Sequence, residues 1–190
     1  MSEQLDDRST SSKVRSIGQN FRLTGWISFW TQLVLGVVST LLLLVFVVFG
    51  RRTGSPSNNP GTGLGVFFAI GGLIALGVGM YLAFRYARIG KQLLSSNPNN
   101  RPRKNESVQV LRLGLIVNLV GMLLTLLGAQ AIVGTLVARA ISSQAATTLF
   151  DPSRIISGLD MFVVQSNTNT VTAHFVGLVA SIWLLNRITR

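Results

Sequence analysis

No cysteine occurs in this chain of 190 residues, histidine occurs once, and acidic side chains number six. The missing thiols exclude disulfides, thiolate metal sites and cysteine nucleophiles together. Three of the acids (Glu3, Asp6, Asp7) lie in the N-terminal tail. The sequence has no glycine-rich phosphate loop, no H-E-x-x-H run and no nucleophile beside a base. An enzyme is therefore not expected, and neither is a bound cofactor. Charge as a whole is scarce, at 12% of residues where soluble domains carry about 25%. The 17 Lys and Arg would suggest nucleic acid in a soluble chain. Here they are confined to the termini and to the segments between apolar stretches, so no nucleic-acid partner is expected. Nothing at the N-terminus resembles a cleaved signal or transit peptide, since the first apolar run begins at Leu23 and is too long for a signal-peptide core.

Apolar residues make up 48% of the chain, and the mean hydropathy is +0.48. Charge-free windows at 26–49, 64–84, 113–138 and 159–183 are each long enough to cross a bilayer, which takes about 20 residues. The expected fold is all-α, an integral membrane four-helix bundle occupying residues 23–187. A partly disordered tail (1–22) precedes it, and a basic loop (85–112) divides it. Lys and Arg number four in the tail, seven in the loop (Arg85, Arg88, Lys91, Arg101, Arg103, Lys104, Arg112) and two at the C-terminus, thirteen against four on the opposite side. The positive-inside rule then places both termini in the cytoplasm. Trp26, Trp30, Tyr81, Tyr86 and Trp183 fall near that same face, as interfacial aromatics do. Val14, Ile17 and Phe21 share a helical spacing beside Lys13, Arg15 and Arg22. They fit either an amphipathic helix on the inner leaflet or a tail that becomes helical on entering the first span, with residues 1–12 disordered.

Lipid gives little drive for helix association, so small residues that admit close backbone contact mark packing seams. The second span has Gly71, Ala75 and Gly79 at four-residue spacing, and the third has Gly114, Asn118, Gly121, Thr125 and Gly128. These seams fit a plain bundle or the lining of a pathway.

The fourth span is the unusual one: LDMFVVQSNTNTVTAHFVGLVASIW carries Asp160, Gln165, Asn167, Asn169 and His174. Polar groups at such depth are expensive and usually face protein or a water-filled cavity. Asp160, Asn167 and His174 recur every seven residues on one face, while Gln165, Asn169 and Thr172 fall on roughly the opposite one. A helix polar on two sides is expected at the centre of the bundle or at an oligomer interface. Asp160 reads as a helix cap or solvated group, or as a functional one. His174 reads as an interhelical hydrogen-bond partner or a metal ligand. Gln130 and Asn118 in the third span read as buried amides, Gln130 bonding across to the fourth helix. Asp160 and His174, about 21 Å apart along one helix, are not ligands of one ion within it.

The runs NLVGMLLTLLGAQAIVGTLVARA (118–140), LDMFVVQSNTNTVTAHFVGLV (159–179) and FWTQLVLGVVS (29–39) resemble a family of chloroplast inner-envelope proteins. Its members are described both as permeases in chloroplasts and as small subunits of the inner-envelope protein translocon. The resemblance covers nearly all of the membrane region, and without a transit peptide the chain looks like a cyanobacterial-type member. The resemblance implies four spans, placement in an inner, plasma-type membrane, and a role in iron uptake and metal homeostasis, or alternatively in protein translocation. The expected function is thus a metal-ion permease, most plausibly for iron. Its candidate path residues are Asp160, His174, Asn167, Gln165, Asn169, Gln130 and Asn118. The alternative is a non-transporting scaffold or translocon subunit. Candidate partners are membrane lipid, iron or another divalent metal ion, a second copy of the chain, and other membrane proteins.

Overall fold

A computed structural model describes residues 2–52, 60–95, 102–145 and 158–189. They form four helices: α1 (Ser2–Arg52), α2 (Pro60–Leu93), α3 (Lys104–Ala145) and α4 (Gly158–Thr189). Pro60 opens α2 at a position where its missing N–H costs nothing. Glu106 and Asp160 lie in the first turns of α3 and α4, and Lys91 and Arg187 in the last turns of α2 and α4. Each charge has the sign that the helix dipole favours there.

All four helices contain stretches long and apolar enough to span a membrane, at Val14–Phe49, Gly63–Leu93, Lys104–Ile141 and Asp160–Thr189. The chain is a multi-pass integral membrane protein with an all-α, four-helix bundle fold. Sequential neighbours pack, α4 closes the ring against α1, and α2 and α4 also touch across the diagonal. Large apolar side chains such as Ile74, Phe67 and Leu41 point outward, as they should in lipid.

Two apolar clusters divide the interior. One lies at the end that carries the termini and joins Phe21, Leu82, Tyr86, Ile89, Leu111 and Leu184. The other lies at the far end and joins Leu43, Phe46, Ala69, Ile132, Leu136 and Val163. The first settles the place of the amphipathic run before the first span. Phe21 is completely buried and Ile17 packs beside it, so this stretch of α1 continues the bundle instead of lying flat on a leaflet. Helix α1 is continuous from Ser2, through residues whose composition suggests disorder. Tyr86, expected at the interface, is buried to 2% exposure and hydrogen-bonded to Ser181 at 3.1 Å. Trp26, Trp30, Tyr81 and Trp183 are exposed. The basic residues Arg85, Arg88, Lys91, Arg103, Lys104 and Arg112 are all exposed at the termini end, and Arg101 lies outside the described residues.

Glycines of α2 and α3 lie at contacts between the helices. Helix α2 makes its close contact with α3 at Gly72 and not at Gly71: a Cβ on Gly72 would run into Thr125, whereas one on Gly71 would meet only Leu124 at 3.7 Å. Ala75 packs against Gly121, Gly65 against Gly128, and Gly114 against the Tyr86 hydroxyl. The tightest backbone approach is between α1 and α2. A Cβ on Gly25 would stand 3.0 Å from the Ala83 carbonyl and press into the backbone at Ala87, and one on Gly90 would collide with the backbone of Arg22.

Candidate functional site

Between the two apolar clusters lies a layer of polar side chains from three helices, which α2 joins through its glycines and one backbone carbonyl. Gln32 comes from α1, Asn118 from α3 and His174 from α4, all at 2% exposure or less. His174 stands fourteen residues after Asp160 and thirteen before Arg187, about 20 Å from each end along the axis. It is therefore near the middle of the membrane.

Glycines let these side chains meet. A Cβ on Gly79 of α2 would lie 3.0 Å from Asn118 Oδ1 and 3.3 Å from Gln32 Oε1, and one on Gly177 of α4 would overlap both amides. The two amides thus occupy space that α2 and α4 leave by lacking side chains. Gly121 gives the His174 ring its room in the same way.

The hydrogen bonds leave the layer rich in acceptors. Asn118 Nδ2 donates to the Gly114 carbonyl at 2.8 Å, which turns Oδ1 toward His174 Nδ1 at 3.2 Å. The other ring nitrogen, Nε2, faces the Gly72 carbonyl at 3.1 Å. A neutral imidazole carries a single N–H, so it can donate to one of these two oxygens and not to both. Gln32 Nε2 donates to Ser28 Oγ at 3.1 Å, while the buried Gln32 Oε1 has no hydrogen-bond partner. A buried unpaired acceptor costs on the order of 1–3 kcal/mol. Two oxygens thus face one ring N–H, and a third, Gln32 Oε1, is left unpaired near Asn118.

Serines carry the polarity toward both ends. Ser39 and Ser166 exchange reciprocal bonds across α1 and α4, each hydroxyl donating to the other's carbonyl at 3.1 and 2.8 Å. Asn167 is buried beside them, and its Nδ2 has no hydrogen-bond partner.

Several sequence expectations are revised. Asp160 is buried and not solvated: it pairs with Arg139 at 3.7 Å, with side chains 9% and 12% exposed, tying α4 to α3 at the far end. Gln130 does not bond to α4, because it points outward on α3. Gln165 is exposed and Asn169 half-buried on the outer face of α4, where they bond to each other at 3.0 Å. Of the seven candidate path residues, Asn118 and His174 meet, Asn167 and Asp160 share the inner face of α4, and the other three lie outside the bundle. Gln32 was missed, although it is the only amide in its span and the same reasoning that selected Gln130 would have found it. Among the described residues, no three His, Asp or Glu side chains converge on a metal-binding point.

The family model "Protein of unknown function (DUF3611)" matches residues 11–189. The chain belongs to the DUF3611 family. It is also 36% identical over 184 residues to "Protein TIC 21, chloroplastic" from Arabidopsis thaliana. That match covers 94% of this chain and 60% of the relative, so the DUF3611 chain described here spans little more than half of that protein. No solved structure is significantly similar.

Proposed function

We propose that this protein is a non-enzymatic membrane transport protein that carries a divalent metal cation, ferrous iron, through the Gln32–Asn118–His174 layer. The observation that carries the reading is the excess of acceptors at mid-membrane, where Asn118 Oδ1 and the Gly72 carbonyl compete for one ring N–H and Gln32 Oε1 near Asn118 is unpaired. Ferrous ion accepts imidazole and amide oxygen, and weak neutral donors suit a site that must release its cargo. All four helices close on one another at this level, so passage requires a helix to move. The pivots would be the glycines that admit these side chains. A cation arriving at Asn118 Oδ1 competes with the ring proton for the same oxygen, which links cargo entry to the protonation of His174.

The resemblance noted in the sequence supports the same reading and also its competitor, a subunit of a protein-translocation complex. The outward amides Gln130, Gln165 and Asn169 favour the competitor, since they offer hydrogen bonds to other helices. Under either reading the basic end faces the cytoplasm or its organellar equivalent, in an inner, plasma-type membrane.

Uptake of radioactive iron into proteoliposomes holding only this protein tests the proposal. Wild type and Gln130→Leu are expected to take up iron, and His174→Ala and Gln32→Leu to lose uptake at equal, folded reconstitution. Absence of uptake by folded wild type under an imposed proton gradient sinks the permease reading. Partners that co-purify with wild type would then point to the translocon reading.

A further inference from the structure

Helix α4 carries two seams. The inward one runs 160, 163, 167, 170, 174, 177, 181, 184, 188, and every residue in it is buried. The outward one runs 162, 165, 169, 172, 176, 179, 183, and every residue in it is exposed or half-buried. Both step alternately by three and four residues, the spacing by which one helix lies along another in a left-handed coiled coil. The inward seam is occupied by α1, α3 and α2. Among the described residues, nothing in one copy of the chain occupies the outward one.

The outward seam is polar where lipid would make it apolar. Gln165, Asn169 and Thr172 occupy three successive positions, at about 8, 14 and 18 Å along the axis from Asp160. Thr172 is quiet, because its hydroxyl donates to the Thr168 carbonyl at 2.9 Å, as hydroxyls in membrane helices commonly do. The amides differ. Gln165 Nε2 donates to Asn169 Oδ1 at 3.0 Å, a bond that uses one acceptor and one N–H and leaves Gln165 Oε1 and the Asn169 amino group for an outside partner. Hydrocarbon offers no hydrogen bonds.

We propose that this outward seam is a self-association surface, and that a second copy of the chain seats its own α4 against it in parallel about a two-fold axis. Two copies with the same topology bring like residues to the same depth. A carboxamide is self-complementary, donating through nitrogen and accepting through oxygen, so an Asn169 pair and a Gln165 pair satisfy one another with no further residue type. The contact is isologous and closes as a dimer. The seam carries no charge that would demand a charged partner. Beyond the amides, Val176 and Val179 continue it with apolar contacts. This inference stands independently of the transport reading, since it concerns the opposite face of α4 from the polar layer.

The chain lacks native cysteine, so single-cysteine variants of the full protein in membranes give a clean test. On mild oxidation, Thr172→Cys, Val176→Cys and Val179→Cys are expected to form a disulfide-linked species of twice the monomer mass. Phe175→Cys, off the seam, and Ile74→Cys, on the outer face of α2, are expected to stay monomeric. Leucine at Asn169 should weaken association measured by energy transfer between labelled copies about threefold to tenfold, and glutamine should retain most of it. Cross-linking at Ile74 with none along α4 would overturn the assignment. So would absence of any linked species, or an adduct of a different mass formed with another protein.

Discussion

The polar layer at mid-membrane takes its side chains from α1, α3 and α4, the apolar cluster at the termini end takes its own from all four helices, and the two are held together differently. In the apolar cluster, bulk fills the space: Phe21, Tyr86, Leu111 and Leu184 interdigitate, and the contact energy is dispersion summed over many weak pairs. In the polar layer, glycines remove bulk so that Gln32, Asn118 and His174 can approach, and the contacts are few and directional. The first arrangement tolerates changes of shape and punishes loss of volume. The second tolerates little added volume, and it retains an unpaired acceptor that a purely structural core would have no reason to keep.

Substitutions can break this comparison. The largest effect is expected where added bulk meets backbone that cannot yield. Leucine at Gly90 collides with the main chain of Arg22 and should abolish recovery of folded protein from detergent, read by size-exclusion profile. Gly71→Ala, whose Cβ meets a side chain at ordinary contact distance, should be recovered normally. Next is loss of volume in the apolar cluster. Leu184→Ala should lower stability by about 2–5 kcal/mol, seen as a lower melting temperature of the purified protein. Recovery of wild-type stability there would mean that the cluster is less tightly packed than described. Smaller is the loss of one hydrogen-bonded group from the polar layer: His174→Ala should cost about 1–3 kcal/mol, while the proposed iron uptake should fall much further. Equal losses of stability and uptake would erase the distinction between the two regions. Smallest is Gln130→Leu. It trades an outward amide for an apolar side chain and should leave the melting temperature the same or slightly higher.

The two regions were also unequally legible. Apolar length and the distribution of charge gave the four spans directly, because crossing a membrane imposes a length that any sequence must meet. His174 and Asn118 were found as polar groups in apolar helices, a signal that needs no partner to be read. Gln130 carries the identical signal and points the other way, because one polar residue in a span does not reveal which side of the helix faces protein. The shift from Gly71 to Gly72 has the same origin: adjacent positions on a helix differ by about 100°, and spacing alone does not fix the zero of rotation.

The sequence by itself therefore determined that this is a membrane-spanning chain of four helices, with its basic residues gathered at one end and its polarity concentrated in the last helix. Hydrophobic length and helical period are local properties, and both can be counted along the chain. Only the tertiary structure decided which polar residues meet. It set Asn118 against His174 with Gln32 near Asn118, paired Asp160 with Arg139, and turned Gln165 and Asn169 outward. Those outcomes depend on how four helices rotate about their own axes. That rotation is set by the joint fit of glycines and side chains across every interface at once.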